Sequence, residues 1–80
     1  MHIIIYTKTG CPWCSTVLTF LKEQNIAFEE REVTAHPVFF AELVEKSGQQ
    51  LTPTLDINGV ILADSDVDQV SAFLKRKICE

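Results

Sequence analysis

Apolar positions along the chain fall in short blocks whose spacing alternates between strand-like and helix-like. Residues 2–6 carry the run Ile3-Ile4-Ile5-Tyr6, rich in β-branched side chains, and read as a buried strand that ends at Thr7-Lys8-Thr9-Gly10. From Pro12 to about Gln24 the spacing predicts a helix, with Val17, Leu18, Phe20 and Leu21 on one face and Asn25 as a left-handed stop. Residues 27–33 return to a strand pattern, and the charges of Glu29-Glu30-Arg31-Glu32 suit a solvated sheet edge. Pro37 opens a second helix, where its missing N–H has no helical partner to lose. Phe40, Leu43 and Val44 form the inward stripe of that helix, and Gly48 ends it. Thr54 to Ile57 and Val60 to Leu62 are two strands joined by Asn58-Gly59, the strongest hairpin signal in the chain. The last helix runs from about Asp66 to Lys77. Val67, Val70, Phe73 and Leu74 face inward, and Asp64, Ser65 or Asp66 caps it.

The predicted order is βαβαββα, an α/β fold. The strand–helix–strand unit implies two parallel strands joined by a right-handed crossover, and the hairpin adds an antiparallel pair. The expected architecture is a four-stranded mixed sheet flanked by three helices, with residues 1–80 forming a single domain. An apolar content of 46% suffices for one core. The net charge of -4 argues against a nucleic-acid surface. Lys75, Arg76 and Lys77 cluster where they complement a helix dipole. Ile3–Tyr6 is too short for a signal-peptide core and lacks a basic leader, and no stretch approaches the roughly 20 apolar residues that span a bilayer. The expected location is cytoplasmic, where thiols stay reduced.

Three cysteines in that setting are no disulfide framework. The close pair Cys11-Pro12-Trp13-Cys14 points to redox chemistry or metal binding. Zinc commonly takes four ligands as two close pairs, whereas His2, His36 and Cys79 are scattered singly, so no metal site is expected. Redox chemistry needs an exposed sulfur with a lowered pKa, because the thiolate is the nucleophile. Gly10 relaxes the turn, and Cys11 falls where a helix begins. Free N–H groups and the helix dipole there favour a thiolate. Pro12 fixes the entry geometry, and Lys8 adds positive potential. Such surroundings bring a cysteine from about 8.5 into the range of roughly 3.5–7.5. Cys14, three residues on, shares the helix face and lies within disulfide reach. His36 reads as a helix-entry residue and Cys79 as a surface or frayed-end thiol.

These residues resemble the glutaredoxins, within the thioredoxin-like superfamily. The resemblance covers nearly the whole chain. It rests on Lys8-Thr9-Gly10-Cys11-Pro12-Trp13-Cys14, Ser47-Gly48-Gln49-Gln50-Leu51-Thr52-Pro53, Ile57-Asn58-Gly59 and Ser65-Asp66. It implies a thioredoxin-like fold and glutathione-dependent reduction of protein disulfides and glutathione mixed disulfides. Glutathione is then a co-substrate, with no tightly bound cofactor. Carried over by position, Cys11 is the nucleophile and Cys14 the resolving thiol. Lys8 meets the glycine carboxylate of glutathione, Trp13 flanks the groove, and Thr52 offers backbone hydrogen bonds to the cysteinyl part. Pro53 is the cis-proline facing the site, and Ser65 and Asp66 hold the γ-glutamyl end. Gln50 stands where many members carry a basic residue. The partners implied are glutathione and disulfide-containing proteins, met by a monomer.

One departure is Ala63-Asp64, where members usually have two glycines. Glycine permits close backbone approach, and Asp64 brings negative charge toward an anionic tripeptide. Two alternatives follow. One is a redoxin carrying electrons from thioredoxin reductase to ribonucleotide reductase. The other is a glutathione-ligated [2Fe–2S] cluster carrier, which Pro12 disfavours by stiffening the loop.

Overall fold

The computed structural model describes residues 2–78, with side chains described through Arg76. The elements are β1 (Ile3–Thr7), α1 (Pro12–Glu23), β2 (Glu29–Glu32), α2 (Pro37–Ser47), β3 (Thr54–Ile57), β4 (Val60–Leu62) and α3 (Val67–Ile78). The order is the expected βαβαββα. The strands form one sheet in the order β2-β1-β3-β4. β1 pairs parallel with β2, with Ile4 opposite Glu29, and antiparallel with β3, with Ile5 opposite Leu55. β3 and β4 are antiparallel, and Asn58 (φ 52°) and Gly59 (φ 91°) make the turn in left-handed conformations.

β1 is buried along its whole length because both faces of the sheet are covered. Side chains alternate across a strand. Ile3 and Ile5 therefore join Leu55 and Ile57 against Val17 and Leu21 of α1 and Val70 and Leu74 of α3. Ile4 and Tyr6 emerge on the other face, against Leu43 of α2 and against Val33, which follows β2. That second cluster takes Phe39 together with Phe40, while Val44 is only half-buried.

β2 is an edge strand, shorter than residues 27–33. Phe28 leaves the strand to pack on the α1–α3 core. Its charged residues are not merely solvated. Arg31 reaches Glu29 and Glu42 at 2.5 Å each, Glu30 accepts from the Thr7 hydroxyl at 2.9 Å, and Glu32 accepts from the Thr9 N–H at 2.8 Å. The Tyr6 hydroxyl, fully buried, donates to Glu42 (3.0 Å) and accepts from Lys46 (2.8 Å), which also meets Asp56 at 2.9 Å. Asn25 (φ 56°) stops α1 as expected, and Gly48 (φ 70°) stops α2. α3 begins one residue later than expected. Asp66 is its cap: the Asp66 carboxylate accepts from the Gln69 N–H (2.8 Å), and the Gln69 amide oxygen accepts from the Asp66 N–H (3.1 Å). Lys77 has no described side chain, and Cys79 lies outside the described residues. No described helix is long and apolar enough to cross a membrane.

Candidate active site

Cys11 is the N-cap of α1. Its backbone is extended (φ -89°, ψ 110°), its N–H donates to the Lys8 carbonyl at 3.2 Å, and Pro12 begins the helix. Gly10 (φ 81°) reverses the chain just before it, in the left-handed region open to glycine. The cap residue's side chain faces the unpaired N–H groups of the first turn, so the Cys14 N–H donates to Cys11 Sγ at 3.2 Å. From the opposite side, the loop before β3 brings Thr52. Its hydroxyl lies 3.7 Å from Cys11 Sγ, and its carbonyl oxygen lies 3.9 Å away, where a protonated thiol donates to it. The Thr52–Pro53 peptide bond is cis, and Pro53 is buried.

The two sulfurs are electrostatically unlike. Burial raises the Cys11 thiol, but hydrogen bonds outweigh it. The Cys14 thiol and N–H, the Thr52 hydroxyl and the Trp13 N–H hold Cys11 below its ordinary value. Cys14 is 2% exposed, and its thiol is pushed up to about 11 by burial and by sharing its proton with Cys11. This arrangement makes Cys11 the sulfur that ionises first and Cys14 the one that keeps its proton longer.

Beside Cys11 runs a groove of about 240 Å³ lined by Trp13, Pro53, Asp64, Ser65 and Asp66. Trp13 is 67% exposed and forms one wall. Four residues named from the sequence, Trp13, Pro53, Ser65 and Asp66, thus share one groove, and Cys11, Cys14 and Thr52 meet at its sulfur end. The Ser65 N–H donates to the Pro53 carbonyl at 2.9 Å, which fixes the 63–66 turn against the proline. Lys8 is separate from this groove. Its side chain is exposed and borders a different hollow of about 390 Å³ with Val33, Thr34, Pro37 and Phe40. The hydrogen bonds that lower Cys11 come from Cys14, Thr52 and Trp13.

Three supporting residues escaped the sequence reading. Thr54, 1% exposed, donates through its hydroxyl to the Leu51 carbonyl at 2.9 Å. It accepts from the Gln49 amide at 3.0 Å and from the Asp64 N–H at 3.2 Å. One hydroxyl thereby joins the loop that carries Thr52 to the turn that carries Ser65. Gln49 adds a contact from its amide oxygen to the Leu51 N–H. Glu32 accepts from the Thr9 N–H and hydroxyl and from the Ala35 N–H at 2.8 Å, so it braces the segment entering Cys11. That bonding, from Ala35 first, lowers the Glu32 carboxyl to about 2. The pairings of Thr54 with Asp64 and of Glu32 with Thr9 join separate segments, and no local motif marks them.

The sequence profile of the glutaredoxin family matches residues 3–62. Glutaredoxin 3 of Escherichia coli is 25% identical over 65 residues, spanning 81% of this chain and 78% of that protein. A glutaredoxin-like 8.6 kDa protein from the rubredoxin operon of Clostridium pasteurianum is 27% identical over 74 residues, spanning 92% and 99%. Among solved structures, glutaredoxin from Brucella melitensis superposes with a TM-score of 0.70 at 30% identity, over 95% of this chain and 80% of that one. The thioredoxin-like protein BC3987 does so at 0.81 and 31%, over 88% and 96%. The fold is thioredoxin-like, and the chain belongs to the glutaredoxin family of thiol–disulfide oxidoreductases.

Proposed function

We propose that this chain reduces protein disulfides and glutathione mixed disulfides, with Cys11 as nucleophile, Cys14 as resolving thiol and glutathione as the reductant. The observation that carries the reading is the unequal pair: Cys11 lowered and half-exposed, Cys14 raised and buried. Cys11 thiolate attacks a substrate disulfide, forms a mixed disulfide and releases one thiolate. With a protein substrate, Cys14 loses its proton and attacks Cys11 Sγ, which releases reduced protein and leaves the Cys11–Cys14 disulfide. With a glutathione mixed disulfide, Cys11 takes up the glutathionyl group, and a second glutathione removes it as glutathione disulfide without Cys14. Trp13, Pro53, Ser65 and Asp66 line the groove in which the tripeptide lies on this reading, and Thr52 adjoins its cysteinyl sulfur. Lys8 borders the neighbouring hollow, on the side where the glycine carboxylate extends.

The test is a pair of variants. Cys11→Ser abolishes reduction of both substrate kinds, whereas Cys14→Ser retains deglutathionylation and loses protein-disulfide reduction. Equal loss of both activities in Cys14→Ser contradicts the mechanism.

Asp64 favours a second reading of the electron donor. Its carboxylate lines the groove without a hydrogen bond or ion pair among the described residues, and it repels the carboxylates of glutathione. A redoxin fed by thioredoxin reductase and serving ribonucleotide reductase has no need of that tripeptide. A coupled NADPH assay separates the two: turnover with glutathione and its reductase supports the first donor, and turnover with thioredoxin reductase alone supports the second.

A further inference from the structure

The groove beside Cys11 has a chemical bias that thiol–disulfide exchange does not itself require. Its lining combines the exposed Trp13 with two acidic residues, Asp64 and Asp66. The two carboxylates are not equivalent. Asp66 is turned to the Gln69 N–H and caps α3. Asp64 spends its N–H on Thr54 and leaves its carboxylate unengaged among the described residues. Among the residues lining this groove and the Lys8 hollow, Lys8 is the one cation. An exposed indole and a free carboxylate lining one groove suit a guanidinium or ammonium, which the ring quadrupole and the carboxylate both attract.

We propose that Asp64 is a specificity-determining residue, and that the polypeptide disulfides this chain reduces carry Arg or Lys beside the half-cystine that Cys11 attacks. The inference rests on the oxidoreductase reading and deepens it by naming the substrate class. The cationic side chain lies between Trp13 and Asp64 while the substrate disulfide meets Cys11 Sγ. The chemistry is unchanged: the dithiol is oxidised to the Cys11–Cys14 disulfide, and the peptide disulfide is reduced to two thiols. Two electrons and two protons pass from protein to peptide, and a single turnover needs no further reductant.

Two synthetic peptides test this. They share one intramolecular disulfide and differ only in flanking residues, Arg in one and Glu in the other. Pre-reduced protein is mixed with each in rapid acid-quench single turnovers, and the peptide thiols are separated and counted. The Arg peptide reacts about tenfold faster at low ionic strength, a ratio in keeping with partly exposed charge pairs. At roughly 1 M salt, where the screening length is about 3 Å, the ratio falls to about twofold. Asp64→Asn lowers the low-salt ratio to about threefold; asparagine accepts the left-handed backbone of this position (φ 49°). Glu45→Gln on α2 removes one charge outside the groove and leaves the ratio at its wild-type value. Equal rates for the two peptides overturn the inference and leave the oxidoreductase reading standing. So does a ratio that Asp64→Asn leaves unchanged, or that Glu45→Gln lowers equally. Failure to reduce either peptide overturns both.

Discussion

At the residue scale, Cys11 and Cys14 are the same thiol in opposite surroundings. Cys11 ends the chain's approach to α1, where backbone donors converge on it; Cys14 lies one turn inside, against the core. As pH rises, Cys11 deprotonates before an ordinary thiol and Cys14 well after it, near 11. Alkylation by iodoacetamide, in a Cys79→Ser background, therefore labels Cys11 before Cys14, with a rate midpoint below that of an ordinary thiol. Thr52→Val removes the one side-chain hydroxyl that donates to Cys11. A hydrogen bond to a charged group is worth about 1.5–3 kcal/mol; the long 3.7 Å contact places this one at the low end. The midpoint rises by about one pH unit. A midpoint that stays put in Thr52→Val shows that the backbone donors alone hold the thiolate.

At the element scale, the joints between elements carry the site. Thr54 opens β3 and holds both the 49–52 loop and the Asp64 turn. Thr54→Val keeps the shape but deprives the Asp64 N–H of its acceptor, the Leu51 carbonyl of its donor, and the Gln49 amide of one of its two acceptors. Urea unfolding should register a loss of about 2 kcal/mol, and a loss below about 0.5 kcal/mol means that water replaces the hydroxyl. Asp66 serves α3 as cap and, on the proposed reading, serves glutathione by charge, so two substitutions separate the roles. Asp66→Ala loses about 1 kcal/mol of stability, whereas Asp66→Asn still caps and stays within a few tenths. Asp66→Asn nonetheless raises KM for glutathione; an unchanged KM removes Asp66 from the binding groove. The elements themselves were legible in the sequence because each is announced locally. Ile3–Tyr6 is one apolar run, Pro37 and Gly48 bracket a helix, and Asn58-Gly59 fixes a hairpin. The cysteine pair was legible for the same reason. The roles of Thr54 and Glu32 were not. Glu32 meets Thr9 because β1 and β2 lie side by side, Thr54 meets the Asp64 N–H because the β3–β4 hairpin folds back, and the positive φ of Asp64 follows from the turn it occupies.

At the scale of the whole molecule, the two faces of the sheet are secured differently. The α1–α3 face is apolar, while the α2 face adds a polar web through Tyr6, Glu42, Arg31, Lys46 and Asp56 to its apolar cluster. The acidic residues of β2 are therefore structural, and Glu32 ties that edge to the segment entering the active site. Its consequence for acid stability has a definite sign. A carboxylate whose folded pKa lies below its unfolded pKa contributes stability that is fully present above the unfolded value. That stability is lost as pH falls through the folded value. For Glu32 the window runs from about 4.5 down to about 2, and its cause is the Ala35 N–H first, joined by the Thr34 hydroxyl and the N–H groups of Thr9 and Thr34. Glu29 and Asp56 are lowered too, by Arg31 and by Lys46, so the whole fold weakens on acidification. Glu32→Gln replaces a titrating acceptor by one that does not titrate. Its urea midpoint lies below wild type near neutral pH. The gap closes steadily between about pH 4.5 and 2, because only the wild type gives up this contribution. Curves that stay parallel through that window place the origin of the acid sensitivity elsewhere on the edge. Converging curves locate it at the carboxylate that holds Thr9 two residues ahead of the nucleophile.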